Sequence, residues 1–214
     1  EHSGIVSYDP VELIVTVRAG TRLSALQAAL AEKHQMLGFE PPMFGEASTI
    51  GGAVATGLSG PRRPWAGAAR DFVLGTRIIT QEGKLLRFGG EVMKNVAGYD
   101  LSRMMAGAQG TLGVLTDISF KVLPIPNATH SLRLSLNLND ALKKLAELGR
   151  QPLPITAAAW HNGELFLRLE GGKSSVQATQ ERLGGESLDP SFWASLRDHS
   201  HPFFQLNDGQ ALWR

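Results

Sequence analysis

Apolar and polar residues follow two different periods along the first half of the chain. They alternate strictly over residues 11–18, which predicts a strand with one buried face. Over residues 22–33 the leucines fall at helical spacing after Thr21, which predicts an amphipathic helix with a threonine cap. The same reasoning predicts a hairpin over residues 71–80 and 85–88, turned at Glu82-Gly83. It also predicts a short helix over residues 100–106 and a strand over residues 114–122.

The second half of the chain is more regular. Leucines alternate over residues 132–138 and then take helical spacing up to Gly149. Asn162-Gly163 joins two strand-like runs, 155–161 and 164–170, and is a strong hairpin signal. Further helices are predicted at 176–183, ending at Gly184-Gly185, and after Asp189-Pro190. The order βαββα matches the first five elements of a ferredoxin-like unit, and prolines place a domain boundary near residues 124–130.

Composition narrows the function classes. The 214 residues carry 21 basic and 20 acidic side chains, so no charge field favours nucleic acid as a partner. There is no cysteine, which excludes disulfides, a thiol nucleophile and iron–sulfur ligation by this chain. No apolar run approaches the ~20 residues of a membrane span, and the N-terminus lacks signal-peptide features. These features predict a soluble chain, and its ends, Glu1 and a strand-like terminus, predict a piece of a longer protein.

Glycine is the informative residue. Fourteen of the 24 glycines lie in the 69 residues from Gly45 to Gly113, where an even spread would give about 8. Within residues 48–60 paired glycines remove side chains where backbone N–H groups could meet a phosphate. Hydroxyl donors come from Ser48, Thr49, Thr56 and Ser59, and cations from Arg62, Arg63 and Arg70. A glycine-rich turn packed for structural reasons explains the composition equally well.

The known fingerprints of nucleotide sites and hydrolases are absent. Neither G-x-x-x-x-G-K-[ST] nor G-x-G-x-x-G after a strand occurs, which disfavours P-loop and Rossmann sites. Leu58-Ser59-Gly60 misses the G-x-S-x-G elbow by one position, and the histidines give a poor metal signature. A second glycine segment, residues 107–116, leads into a strand and could offer backbone to a flat heterocycle, although an ordinary helix cap and turn is the commoner explanation.

Three segments in order carry a family resemblance: TIGGAVATGLSG, DFVLGTRIIT and GYDLSRMMAGAQGTLGVLT. They resemble the FAD-binding (PCMH-type) domain of the vanillyl-alcohol-oxidase type of flavoproteins, over about residues 4–123. More narrowly, PRRPWAGAARDFVLGTRIIT and LRFGGEVMKNVAGYDLSRMM are similar to the FAD-binding subunit of bacterial glycolate oxidase, also called glycolate dehydrogenase. The resemblance implies an α+β chain with FAD as cofactor. Its domains would be an FAD-binding domain at 1–123, lacking the first phosphate-binding loop, and a partial ferredoxin-like βαββα cap at 130–214.

The resemblance also implies the cofactor contacts. Residues facing the pyrophosphate and ribityl chain would be Thr49, Gly51, Gly52, Thr56, Gly57, Ser59 and Gly60, with the Ser48 hydroxyl beside them. Gly113 and Val114 would offer backbone to the adenine or ring end. Ala108-Gln109 stands where catalytic relatives commonly have Ser-Glu, so no catalytic residue is assigned.

The implied function is an FAD-binding subunit of a complex that oxidises glycolate to glyoxylate. Its partners would be a larger FAD-containing subunit and an iron–sulfur subunit, in the cytoplasm or peripheral at the inner membrane through that complex. Two alternatives stay open. One is an independent FAD-dependent 2-hydroxy-acid dehydrogenase, and the other is a non-catalytic assembly subunit that has lost its flavin.

Overall fold

The computed structural model describes residues 2–90, 99–205 and 211–212, which fall into two compact units, Glu1–Ile125 and Pro126–Arg214. The strands of the first unit are β1 Ile5–Asp9, β2 Ile14–Arg18, β3 Gln35–Met36, β4 Val73–Ile79, β5 Leu85–Gly89, β6 Val114–Lys121 and β7 Leu123–Pro124. Its helices are α1 Leu23–Ala31, α2 Ile50–Thr56, α3 Arg63–Ala66, α4 Ala69–Phe72 and α5 Leu101–Met104.

An antiparallel sheet of five strands, in the order β1-β2-β6-β4-β5, organises the first unit. The leucines of α1 that fall at helical spacing are buried, as are Ile50 and Val54 of α2. They belong to one core with the inner residues of β2 and β6, which are Val15, Val17, Ile118 and Phe120. This packing fixes α1 and α2 against one face of the sheet.

The predicted strand over residues 11–18 is wrong at its start. Leu13 has φ 57°, a left-handed turn conformation, and Val11 is 88% exposed. The strand begins at Ile14, and β1, which the pattern did not predict, pairs with it. The Thr21 cap is also wrong, because its hydroxyl donates to the Arg18 carbonyl and Arg22 occupies the N-cap position. The β4–β5 hairpin is confirmed.

The second unit is a four-stranded antiparallel sheet with helices. Its elements are β8 Ala128–Ser135, α6 Leu138–Leu148, β9 Ile155–His161, β10 Glu164–Gly171, α7 Lys173–Leu183, β11 Glu186–Ser187, α8 Ser191–Arg197 and a 3₁₀ turn at Pro202–Phe204. The strand order is β11-β8-β10-β9, and the hairpin at Asn162-Gly163 is confirmed. β11 adds a sixth element to the predicted βαββα order and pairs with β8, which gives the βαββαβ pattern of a ferredoxin-like unit.

The second unit has two apolar clusters. One contains Leu132, Leu165 and Val176, and the other contains Ala157, Phe166 and Trp193, so α8 is packed through its tryptophan. The mixture of helices and antiparallel sheets in both units confirms the α+β class. Within residues 2–90, 99–205 and 211–212, no helix has the length and apolar character of a membrane span.

Candidate functional site

The glycine-rich segment contains a helix rather than only a turn. Thr49 is the N-cap of α2, and its side chain accepts a hydrogen bond from the Gly52 N–H. Gly57 ends the helix with φ 64°, a left-handed conformation that favours glycine. The local glycine content disfavours a helix, but burial of Ile50 and Val54 in the core stabilises it.

The N–H groups of the first turn of α2 are already bonded within the protein. The Ile50 N–H donates to the Thr21 carbonyl at 2.9 Å, and the Gly51 N–H donates to the Ala19 carbonyl at 2.8 Å. The Gly52 N–H donates to Thr49 Oγ1 at 3.2 Å. The paired glycines predicted that these three N–H groups would meet a phosphate. That prediction is wrong, because all three donors are engaged within the protein.

The two adjacent glycines of α2 have different roles. At Gly51 a Cβ would lie 2.7 Å from the Ala19 Cβ and 2.8 Å from the Ala19 carbonyl oxygen, so glycine is required for close packing. At Gly52 the nearest atom to a Cβ would be Thr49 Oγ1, at 3.3 Å. Gly52 is exposed and faces a cavity, so a side chain there would enter that cavity.

A cavity of about 300 Å³ lies beside α2. It is lined by Leu23, Pro42, Phe44, Ala47, Ser48, Thr49, Gly52, Ala53, Thr56 and Leu58. The structure thus brings together four of the predicted site residues: Ser48, Thr49, Gly52 and Thr56. The composition analysis missed the apolar lining residues Pro42, Phe44 and Ala47, for which the only signal was an apolar run after Glu40.

The chemistry of this lining fits an uncharged, partly aromatic group. Apolar walls with a few hydroxyl groups are typical of cofactor pockets. Thr49 Oγ1 accepts from Gly52 and keeps its own proton, which it can donate into the cavity. Thr56 Oγ1 donates to the Gly52 carbonyl at 2.9 Å, which leaves its lone pairs as acceptors. The lining is therefore compatible with a flavin ring or ribityl chain, which would fill the space beside Gly52.

Three predicted residues that follow α2 do not line the cavity. Gly57 lies close to the second glycine segment, because a Cβ there would be 2.9 Å from the Gly107 Cα. Ser59 Oγ accepts from the Ala69 N–H at 2.9 Å, and the Gly60 N–H donates to the Phe39 carbonyl at 2.9 Å. These contacts give Ser59 and Gly60 a structural role in the loop.

The second glycine segment contacts the end of α2. The Gly107 N–H donates to the Val54 carbonyl, and the Gln109 N–H donates to the Ala55 carbonyl, each at 2.9 Å. Gln109 adopts φ 51° in this loop. The two glycine segments that the sequence singled out are therefore joined by hydrogen bonds at the C-terminal end of α2.

Gly113 and Val114 lie at the start of β6, away from the cavity lining. Gly113 has φ 146°, and a Cβ there would be 2.9 Å from the Ile79 carbonyl oxygen. Val114 pairs with Ile79 and is 64% exposed. Both residues thus lie at the N-terminal end of the central strand of the sheet, where Val114 is accessible to a ligand.

One predicted anion ligand is wrong. Arg62 is buried, and its guanidinium Nη2 lies 3.6 Å from Glu40 Oε1, while the backbone N–H of Arg62 donates to Glu40 Oε2 at 2.8 Å. Arg62 therefore stabilises the loop that contains Glu40. Arg63 is exposed, and so is Arg70. Among the described residues, no three His, Asp or Glu side chains are grouped as metal ligands.

Comparison with known proteins gives the class. Residues 1–89 match the family model of the FAD binding domain. This match places an FAD binding domain in the first unit of the chain, in agreement with its motifs.

Two similar proteins are subunits of glycolate oxidase. Glycolate oxidase subunit GlcE of Escherichia coli (strain K12) is 58% identical over 213 residues, which cover 100% of this chain and 60% of GlcE. Glycolate oxidase subunit GlcD of Bacillus subtilis (strain 168) is 33% identical over 146 residues, which cover 67% of this chain and 31% of GlcD. The chain thus spans about 60% of the length of GlcE and less of GlcD.

A solved structure shows the same fold. Alkyldihydroxyacetonephosphate synthase superposes with a TM-score of 0.70 at 20% identity, covering 92% of this chain and 44% of the synthase. At this identity the likeness concerns the fold alone.

Proposed function

We propose that this chain holds FAD in a subunit of a complex that oxidises glycolate to glyoxylate. The family match at residues 1–89 supports FAD, and the similarity to GlcE over the whole chain supports the glycolate complex. When bound, FAD would supply the two-electron oxidant for the 2-hydroxy acid. The residues of this chain would bind and orient it.

The observation that carries the proposal is the open cradle beside α2. Gly52 leaves space that a Cβ would occupy, and the hydroxyl groups of Ser48, Thr49 and Thr56 line the same cavity. We propose that these four residues contact the uncharged part of the cofactor. Gly51, Gly57, Ser59 and Gly60 would act indirectly by fixing α2 and its loop, and Gly113 and Val114 would offer backbone from the start of β6.

The variant Gly52→Asp in the full-length protein tests this role. Gly52 is the third residue of α2, where a carboxylate is compatible with the positive end of the helix dipole, so the helix should persist. The new side chain would enter the cavity with a negative charge. We expect a loss of bound FAD of at least tenfold, measured by visible absorption after gel filtration, with unchanged far-ultraviolet circular dichroism.

Gly172→Asp is the matched control. Gly172 is the N-cap of α7 with φ −70° and has open space for a Cβ, and aspartate is favoured at that position. This variant should retain FAD at the wild-type level. Wild-type FAD content in Gly52→Asp would overturn the role of the cavity.

We propose that a larger FAD-containing subunit and an iron–sulfur subunit complete the activity. This chain has no cysteine, so an electron path through an iron–sulfur cluster needs another chain or segment. GlcD, a glycolate oxidase subunit, is a relative that suggests the kind of partner. The complex would be cytoplasmic, or peripheral at the inner membrane through its other subunits.

A dye-reduction assay separates this proposal from its alternatives. The FAD-loaded full-length protein is assayed with glycolate and with D-lactate, with and without the partner subunits. D-lactate is included because D-lactate dehydrogenase of Anaerostipes hadrus is 33% identical over 168 residues. Turnover that requires the partners supports a subunit role, whereas equal turnover without them supports an independent dehydrogenase. Absence of FAD with intact assembly supports a scaffold.

A further inference from the structure

Four charged side chains form a row across the five-stranded sheet of the first unit. The strand registers place Arg18 opposite Asp117, Asp117 opposite Arg77, and Arg77 opposite Arg87. Directly opposed residues lie on the same face of a sheet, and like charges in that position repel. The row therefore has one carboxylate for three guanidinium groups.

The positive charge is concentrated at one end of this row. Asp117 lies between Arg18 and Arg77, and its Oδ1 is 3.4 Å from His2 Nε2. Arg87 has Arg77 as its cross-strand partner on β4, and both arginines are exposed. The pair is unfavourable for the protein alone, which suggests that an anion compensates it.

A small cavity adjoins the two arginines. Its volume is about 60 Å³, several times the roughly 10–15 Å³ that one water molecule requires. It is lined by Val6, Thr16, Gly75, Thr76, Arg77, Arg87, Asp117 and Ser119. Its position on the sheet separates it from the cavity beside α2, with which it shares no lining residue.

Buried hydroxyl groups make this cavity polar. Thr16 Oγ1 and Ser119 Oγ are hydrogen-bonded to each other at 2.8 Å. Thr76 pairs with the core residue Ile118, so its side chain lies on the opposite face of the sheet from Arg77 and this residue lines the cavity through its main chain.

We propose that this cavity binds a small tetrahedral oxyanion, such as inorganic phosphate or a terminal phosphate group. Arg77 and Arg87 supply charge-assisted hydrogen bonds from the planar guanidinium groups that line the cavity. The anion would relieve the repulsion between the two arginines. Asp117 in the lining opposes binding, and its register partner Arg18 offsets that effect. This site does not depend on the proposed flavin function.

The test is a titration of inorganic phosphate into the full-length protein saturated with FAD, so that an empty flavin site cannot account for binding. Thermal unfolding and phosphorus NMR line widths are measured at constant ionic strength, with chloride as the exchanged anion. We expect a saturable rise in the unfolding temperature, because a ligand that binds the folded state stabilises it. Arg87→Gln should weaken phosphate binding at least tenfold, whereas Arg150→Gln, an exposed arginine of the second unit, should leave it unchanged.

The site itself is overturned if chloride gives the same stabilisation as phosphate, or if Arg87→Gln binds phosphate as well as the wild type.

Discussion

Three glycines of the two units are required for different structural reasons. Gly163 in the second unit has φ 82° and open space around its Cβ position, so it serves a local turn. Gly51 in the first unit is needed because Ala19 approaches it within 3 Å, and Gly57 is needed for the contact with Gly107. Gly163 thus serves a local turn of the second unit, whereas Gly51 and Gly57 permit close contacts between distant segments of the first.

The largest expected change in the free energy of unfolding comes from replacing a glycine by alanine, either at a close tertiary contact or at a local turn. Gly51→Ala forces an overlap with the backbone of Ala19 and should lower the free energy of unfolding by about 2–3 kcal/mol. Gly163→Ala meets no atom and should lower it by about 1 kcal/mol, the strain of a left-handed alanine. Both losses are measured by urea unfolding of the full-length protein, with hydrogen exchange as the probe of each unit. Equal losses would contradict the distinction between tertiary and local glycines.

Replacing the N-cap residues of one helix in each unit should change the free energy of unfolding less, but it should separate the two units by FAD retention. Thr49 accepts from the Gly52 N–H in the first unit, and Asn137 accepts from the Asp140 N–H in the second. Replacing either by alanine should lower the free energy of unfolding by about 1 kcal/mol. We expect only Thr49→Ala to reduce FAD retention as well, because only Thr49 lines the cavity beside α2.

Visible absorption after gel filtration measures the FAD, and urea unfolding measures the cap. The comparison would fail if Asn137→Ala released FAD to the same extent, or if Thr49→Ala lost stability and kept all its FAD.

The smallest effect is a pH dependence confined to the second unit. Burial lowers the pKa of His201, and the neighbouring His161 lowers it further. The imidazole of His201 takes up a proton near pH 6.5 in the unfolded chain and only at lower pH in the folded one. The contribution of His201 to the free energy of unfolding is therefore fully present above about pH 6.5 and is lost as the pH falls below it. His201 Nδ1 also accepts the Phe203 N–H at 3.1 Å, which requires that nitrogen to be unprotonated.

His201→Asn can keep an acceptor for Phe203 and removes the titration. Its unfolding temperature between pH 7.5 and pH 5 should fall less than that of the wild type. An identical slope in both proteins would assign the pH dependence to other groups.

The sequence predicted those features that depend on neighbouring residues. The hairpin at Asn162-Gly163 follows from turn chemistry, and the helical spacing of Leu23, Leu26 and Leu30 follows from one buried face. The strand predicted over residues 11–18 was wrong at its start because Leu13 turns the chain. From Ile14 onward four consecutive residues are buried, so both faces of this strand are covered. Burial on both sides of a strand cannot be inferred from a period of two.

The candidate site was predictable in part. Hydroxyl groups and glycines marked residues 48–60 as the candidate site, and four of those hydroxyl-bearing and glycine residues line one cavity. The carbonyl groups that accept from the N–H groups of Ile50 and Gly51 belong to Thr21 and Ala19, which lie in the loop between β2 and α1. The pairing of Arg62 with Glu40 is likewise a tertiary contact that no local pattern shows. The structure therefore changed the chemistry assigned to the segment more than its position.

The contacts at both ends of α2 have a consequence for the order of folding. A seven-residue helix is too short to persist alone. Its first turn is held by carbonyls of Ala19 and Thr21, and its last carbonyls accept from Gly107 and Gln109, about fifty residues later in the chain. Closing such a loop is entropically costly before other contacts exist. Helix α2 should therefore form late, once β2 and β6 have paired, and its amides should exchange with solvent only through cooperative opening of the first unit.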